Sequence, residues 1–271
     1  MIPRARGRFS AVLKRKKQLS PSCVLLVFER PNDMGDAAPG QFVSIRVTDA
    51  PVPLLRRPYS IMDLTRNSLS LLVKVVGRGS TMLAARKPGE TIDIIGPLGG
   101  IGFPEPRGEV AVFTAGGTGL APMLCAARAW RRKRLRVKTY LLYGAGGKHE
   151  LLRDLVMNDF SVCEFATLDG SAGYHGDVVA LCAELLKEKR IPPGVLYSCG
   201  PRGMVRALVE RVGSSFGEHY TSLESVMACG VGACRGCTVP MRAGEGTILR
   251  TVCSDGTVFR ANDIAWKEWE A

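Results

Sequence analysis

The sequence predicts a β-barrel followed by an α/β domain, with a small cysteine-bearing lobe at the end. Three observations carry that prediction. From Gly7 to about Phe103 the chain reads as short β-rich runs divided by turn residues, FSAVLKRK, SCVLLVFER, QFVSIRV, SLSLLVKVV and TIDIIG, as a small antiparallel barrel requires. From Val110 onward, strand-like and helix-like segments alternate strictly, which implies a parallel sheet covered on both faces. Beyond Tyr220, four of the nine cysteines stand within a tail of about fifty residues, too short to build much of a core alone. With 271 residues there is room for two domains and such an appendage. The expected boundaries are residues 1–103, 108–219 and 220–271.

Within the barrel only one helix is plausible, Thr81 to Arg86, with Ser80 as its N-cap. Arg56-Arg57-Pro58-Tyr59-Ser60 closes a proline-bearing loop and enters a strand. An arginine, a ring and a hydroxyl so close together can hold a phosphate, stack on a flat heterocycle and bond its edge. Neighbours on a strand face opposite ways, so Arg56 and Arg57 should do different things. Downstream, Lys74 ends an apolar strand and Gly77-Arg78-Gly79-Ser80-Thr81 turns into the helix. Helix-start amides and two hydroxyls there suit an anion, although Gly77 and Gly79 read equally well as an ordinary turn.

Pro104 to Gly108 reads as a linker. A buried strand, Val110 to Thr114, then leads through Gly116-Gly117-Thr118-Gly119 to a helix starting near Leu120. The glycines let main chain approach a pyrophosphate and the helix offers free amides, though the register is not G-x-G-x-x-G and any α/β strand-turn-helix could look alike. The alternation continues with strand Val137 to Tyr143, helix Glu150 to Met157, strand Cys163 to Leu168, helix Val178 to Lys189, strand Val195 to Ser198 and helix Met204 to Val212. The carboxyl ends of these strands, where such sheets bind ligands, carry Gly116-Gly117, Gly144, Asp169-Gly170 and Cys199-Gly200-Pro201.

Cys229, Cys234 and Cys237 form a C-x4-C-x2-C run, and Cys253 follows after fifteen intervening residues, the plant-type spacing for a 2Fe-2S cluster. Gly230, Gly232 and Gly236 are expected to supply positive φ around it. Structural zinc prefers paired short knuckles, and nine cysteines is an odd count for a disulfide framework. Cys23, Cys125, Cys163 and Cys182 read as ordinary apolar positions.

The net charge is +12, with Lys14 to Lys17 and Arg131 to Arg134 the densest runs. The first lies in a strand-like stretch and the second ends an amphipathic helix, so both read as solvated faces and no nucleic-acid partner is expected. The basic stretch from Met1 to Phe9 is followed by no apolar core of a leader, and no window is apolar enough for a membrane span. A cytoplasmic protein is expected.

Taken in order, Arg57-Pro58-Tyr59-Ser60, Gly96-Pro97-Leu98-Gly99, Gly116-Gly117-Thr118-Gly119-Leu120-Ala121-Pro122 and Cys199-Gly200-Pro201 resemble the ferredoxin-NADP reductase superfamily. The tail, SLESVMACGVGAC, RGC and VCSDGTVF, is similar to the electron-transfer subunits of dihydroorotate dehydrogenase B, and the resemblance covers Arg8 to Trp266. It implies an FAD in the barrel, NAD on the α/β domain and a 2Fe-2S cluster in the tail. It places Arg57, Pro58, Tyr59, Ser60, Leu72, Val73 and Lys74 beside the flavin, and Gly79 and Ser80 at its pyrophosphate. Gly116, Gly117, Thr118 and Gly119 would take the nucleotide, with Cys199, Gly200 and Pro201 near the nicotinamide and Cys199 as the catalytic candidate. The implied partner is an FMN-containing dihydroorotate dehydrogenase catalytic subunit in a hetero-oligomer of pyrimidine biosynthesis, since this chain lacks a candidate for that chemistry. The flavin must lie between cluster and nicotinamide, because it converts single electrons to a hydride.

Two departures stand out: Ser80 where threonine is common, and Leu168-Asp169 where two acidic residues are frequent. The turn Gly144 to His149 holds one lysine and no arginine, so NAD is expected over NADP. Arg235, the only charge between Cys229 and Cys237, either docks the partner or neutralises the cluster. A reductase subunit of sulfide dehydrogenase or transhydrogenase type shares most of these features. A zinc-stabilised module binding nucleic acid is the alternative of another class.

Overall fold

The computed structural model describes residues 7–269, so most of the basic N-terminal stretch lies outside the described residues. β1 (Gly7–Ser20), β2 (Cys23–Glu29), β3 (Phe42–Arg46), β4 (Arg57–Leu64), β5 (Ser68–Lys74) and, after helix α1 (Arg78–Ala85), β6 (Thr91–Leu98) close into a barrel in the order β1-β2-β5-β4-β3-β6. All its pairings are antiparallel. Alternation fills its interior with Leu13, Leu26, Phe28, Ile45, Ile61, Leu71 and Val73, each buried. Lys14 to Lys17 lie exposed along β1.

Helix α1 begins three residues before the expected start, at Arg78, with Gly77 as N-cap. Glycine has no side chain to cap with, so the Ser80 hydroxyl reaches back, accepting from the amides of Val76 (2.9 Å) and Gly77 (3.1 Å). Ser80 thus stabilises the helix start from inside the first turn instead of standing before it.

The second sheet contains β7 (Val110–Gly116), β8 (Lys138–Ala145), β9 (Val162–Thr167), β10 (Tyr174–His175), β11 (Val195–Cys199) and β12 (Glu218–Ser222). Its helices are α2 (Leu120–Arg132), α3 (Arg153–Val156), α4 (Val178–Lys187) and α5 (Arg202–Val212). The strand order is β10-β9-β8-β7-β11-β12-β15, parallel as far as β12. The expectation of a wholly parallel sheet is corrected at its edge. β15 (Val258–Arg260), from the tail, pairs antiparallel with β12, and β12 itself spans the expected boundary at 219/220.

The expected helix Glu150 to Met157 shrinks to the single turn α3, because Leu151 and Leu152 leave helical geometry and bury their side chains in the core. The arginine-rich end of α2 is exposed as expected, and two of its cations also find partners: Arg132 pairs with Asp63 of the barrel at 2.8 Å and Arg131 with Asp159 at 2.9 Å. The half-exposed Arg132–Asp63 pair ties the two domains together.

The tail forms a hairpin of β13 (Thr238–Ala243) and β14 (Gly246–Thr251). Its core, Val239, Met241, Val252, Ile264 and Trp266, is completed by Phe42 and Leu98 of the barrel and Val205 of α5. Backbone bonds join it to the barrel, from Gly99 N to Cys253 O (3.1 Å) and from Thr257 N to Gly99 O (2.8 Å). The lobe therefore leans on both domains. No helix among the described residues is long and apolar enough to cross a membrane.

Candidate functional site

A cleft of about 340 Å³ opens where barrel, second sheet and tail meet. Pro58, Tyr59 and Ser60 of β4 with Leu72 and Lys74 of β5 form one wall, Thr118 and Ala121 the floor, and Ser222, Leu223, Glu224, Ser225 and Met227 the other wall. Leu72 and Lys74 face the cleft because β5 alternates; Val73 between them points into the barrel core and offers the cleft only its backbone. Burial pushes the Tyr59 phenol up to about 12, with Arg57 opposing, so it is a neutral ring and a donor.

Arg56 and Arg57 diverge as alternation requires. Arg56 bonds Asp93 at 2.7 Å on the side of β6. Arg57, anchored by the Leu55 carbonyl at 2.6 Å, lies against Gly79, where a Cβ would sit 2.9 Å from its Nε. Two separate sequence signals thus meet in space, a guanidinium over the first turn of α1, whose early amides have no acceptor within the helix, an arrangement able to hold an anion. The Ser80 hydroxyl is taken up by the helix start and leaves its amide to this site.

At the end of β7, Gly117 adopts φ +54 with no atom within 4 Å of its Cβ position, an open approach for a ligand. Gly119 has a different reason: a Cβ there would lie 2.1 Å from the Cys199 carbonyl oxygen, so only glycine lets α2 start against the Cys199-Gly200-Pro201 turn. Gly116 abuts the same turn, beside Pro201. The Cys199 thiol is fully buried and does not line the cleft. Burial raises its pKa well above the ordinary value, with Glu224 adding to the rise and the Ser222 hydroxyl opposing it.

Ser222, Glu224 and Met227 were missed as site residues. Glu224 stands on the cleft wall with its side chain exposed to solvent, and the neighbouring protein desolvates it enough to raise its carboxyl pKa. The available signal was topological: the segment leaving β12 for the cysteine loop must pass the carboxyl edge of the sheet, where ligands bind.

In the cysteine loop, amides point at sulfur: Val231 (3.5 Å) and Cys234 (3.3 Å) donate to Cys229 Sγ, Gly236 (3.5 Å) to Cys234 Sγ, and Gly232 (3.1 Å) to Cys253 Sγ. These bonds lower Cys229 to about 6, whereas burial, then its neighbour Cys237, raises Cys253 to about 12. Cys229 neighbours Cys234, and Cys253 neighbours Cys237 and Cys229. Among the described residues no three His, Cys, Asp or Glu side chains converge on a single-ion site. Four cysteines within residues 229–253, with backbone amides donating to three of the sulfurs, suit an anionic iron-sulfur cluster. Gly230 and Gly232 do take positive φ, but Gly236 does not; Arg235 carries the left-handed turn instead (φ 55), aiming the Gly236 amide at Cys234. Cys234 and Arg235 are exposed, while Cys237 and Cys253 are buried.

A closed antiparallel barrel, a parallel sheet and a cleft between them define the ferredoxin-NADP reductase fold, and solved structures share it. One described as giving insights into flavin-based electron bifurcation via the NADH-dependent reduced ferredoxin-NADP oxidoreductase structure superposes with a TM-score of 0.81 at 26% identity, over 95% of this chain and 90% of that one. A ferredoxin NADP+ reductase from Neisseria gonorrhoeae shares the fold alone, with a TM-score of 0.64 at 19% identity over 77% of this chain and 91% of that one. An oxidoreductase FAD-binding domain matches residues 10–103, and the iron-sulfur cluster binding domain of dihydroorotate dehydrogenase B matches residues 224–265. Proteins named dihydroorotate dehydrogenase B (NAD(+)), electron transfer subunit, are 38% identical in Geobacillus sp. (strain WCH70), over 84% of this chain and 86% of that protein, and 36% identical in Enterococcus faecalis (strain ATCC 47077 / OG1RF), over 92% and 95%. A third, from Desulforamulus reducens, is 33% identical over 96% of this chain and 98% of its own length. The chain belongs to this family of electron transfer subunits, with an FAD-binding barrel and an iron-sulfur lobe.

Proposed function

We propose that this chain passes electrons between a partner flavoprotein and NAD through a 2Fe-2S cluster and FAD, and that the partner is an FMN-containing dihydroorotate dehydrogenase catalytic subunit of pyrimidine biosynthesis in the cytoplasm. The observation that carries the reading is continuity. Met227 lines the cleft and Cys229, the first cluster ligand, follows two residues later, a reach of about 7 Å of chain. When bound, the flavin interconverts the cluster's single electrons and a nicotinamide hydride.

The residues have separable roles in this proposal. Tyr59 and Ser60, with Pro58, Leu72, the Val73 backbone and Lys74, bound the flavin. Arg57 and the amides of Gly79 and Ser80 hold its anionic part. The turn Gly116 to Gly119 offers amides to the nucleotide pyrophosphate, and Cys199 to Pro201 shape the nicotinamide end. Cys229, Cys234, Cys237 and Cys253 ligate the cluster. The domains are then a flavin domain over residues 1–103, a nucleotide domain over 108–219 and a cluster lobe over 220–271.

Docking belongs to the cysteine lobe, where Cys234 and Arg235 are exposed beside Val226 (89% exposed) and Val231 (42% exposed). Reconstituting the loaded protein with the catalytic subunit should give dihydroorotate-dependent reduction of NAD. Arg235→Glu should abolish the complex and this activity while leaving NADH-to-dye activity through FAD intact. Failure of the wild-type pair to couple dihydroorotate to NAD would refute the partner, and an unchanged complex in the variant would refute the docking face.

A further inference from the structure

Among the ion pairs that cross the seam between the two domains, one lies at the cleft itself. Lys74 Nζ, at the end of β5, bonds Glu150 Oε2 at 2.8 Å across the seam, with the two side chains 38% and 41% exposed. Glu150 is held there by its surroundings: its amide donates to the Gly147 carbonyl (3.0 Å), and its own carbonyl accepts from the Tyr143 hydroxyl (3.3 Å). Its other carboxylate oxygen lies over Gly146, 2.8 Å from where a Cβ would be. The carboxylate therefore covers the loop that follows β8, one of the glycine-bearing ends on the ligand edge of the sheet.

Leu72, Lys74 and Thr118 line both the main cleft and a small adjoining cavity, whose wall includes Gly117, Tyr143 and Glu150. The lysine ammonium is thus tied to a carboxylate beside the turn whose open amides at Gly117 and Thr118 suit a pyrophosphate. A dianionic pyrophosphate arriving there competes with the Glu150 carboxylate for Lys74. An ammonium divided between two anions holds each more weakly than it would hold one alone.

We propose that Lys74 and Glu150 form a charge latch that the pyrophosphate of the nicotinamide nucleotide opens, Lys74 passing from the carboxylate to the phosphate and returning as the nucleotide leaves. Glu150 is then a positioning residue that lowers nucleotide affinity and favours release, a step that limits turnover in many enzymes. The latch rests on the reading of the Gly116 to Gly119 turn as the nucleotide site.

The test uses the FAD- and cluster-loaded protein and calorimetric titration with ADP-ribose, which carries the pyrophosphate without the nicotinamide. Glu150→Gln, nearly isosteric, should tighten ADP-ribose about threefold to fivefold, the scale of a half-exposed ion pair. Lys74→Met should weaken it, and adding Glu150→Gln to Lys74→Met should bring no gain, because the carboxylate acts through the lysine. Lys74→Arg keeps the charge, so it should bind nearly as the wild type does. Adenosine, lacking phosphate, should be indifferent to Glu150→Gln. Unchanged or weaker ADP-ribose binding in Glu150→Gln overturns the latch, as does a gain that persists without Lys74. If Lys74→Met sheds FAD while Glu150→Gln leaves ADP-ribose affinity unaltered, the lysine belongs to the flavin alone and the latch fails. A wild-type protein that binds no ADP-ribose removes the nucleotide reading itself and the latch with it.

Discussion

The cysteine loop and the cleft are assembled differently. The loop draws four thiols and the four amides that point at three of them from residues 229–253, and its hydrogen bonds span short separations apart from Gly232 to Cys253. The cleft gathers β4, β5, the turn after β7 and the segment after β12, so its walls meet only when barrel, sheet and tail have docked. A site of the first kind fails by loss of a ligand. A site of the second kind fails by loss of fit between elements, and can degrade by degrees.

The sharpest break in this comparison is Cys253→Ser. The expected outcome is complete loss of the 2Fe-2S absorption and of bound iron, with a lower melting temperature, because Cys253 sits in the core that seats the lobe. FAD content should survive it in large part. A variant that keeps its iron and spectrum would mean the fourth ligand is misassigned.

Next in size is Gly119→Ala on the assembled side. A Cβ 2.1 Å from the Cys199 carbonyl oxygen and 2.9 Å from the Gly200 amide nitrogen meets backbone that cannot move aside cheaply. Destabilisation of about 1–3 kcal/mol is expected in thermal or denaturant unfolding, together with weaker NADH binding and an intact cluster. Loss of the cluster before the nucleotide site would contradict the separation drawn between the two regions.

Arg57→Ala and Arg56→Ala sharpen the contrast between two neighbours at the start of β4. Arg57→Ala should weaken FAD about tenfold, ~1.4 kcal/mol, as measured by flavin release on dilution. Arg56→Ala should retain FAD and lose at most about 1 kcal/mol of stability, since Asp93 keeps its second partner, Arg8, at 2.8 Å. Equal flavin loss in the two variants would overturn their opposite facing.

The choice between NADH and NADPH is expected to carry an effect no larger than that of Arg57→Ala. The Asp169 carboxylate lies beside Gly147 in the loop after β8, and hydrogen bonds from the Ser171 hydroxyl and amide keep its pKa below the ordinary value, so it stays charged at neutral pH. A fixed negative charge there opposes a 2'-phosphate. Steady-state dye reduction should favour NADH by kcat/KM on the order of tenfold, ~1.4 kcal/mol, and a preference for NADPH would refute the assignment.

By itself the sequence determined whatever spacing and periodicity encode. The four cluster cysteines are legible because ligand geometry demands their separation. The barrel runs, the strand-helix alternation and the opposite facing of Arg56 and Arg57 follow from residue period along short stretches. Only the tertiary structure decided which distant pieces share a surface. Lys74 and Glu150 are 76 residues apart and no local pattern links them. Thr257 reaches the Gly40 carbonyl over a separation of 217 residues, which seats the lobe on the barrel. The same docking puts Ser222, Glu224 and Met227 into the cleft, buries the Cys199 thiol away from it, and lays β15 antiparallel on the sheet edge. Such contacts depend on how completed domains fit together, and that fit depends on shape and charge over whole faces, which a one-dimensional period does not carry.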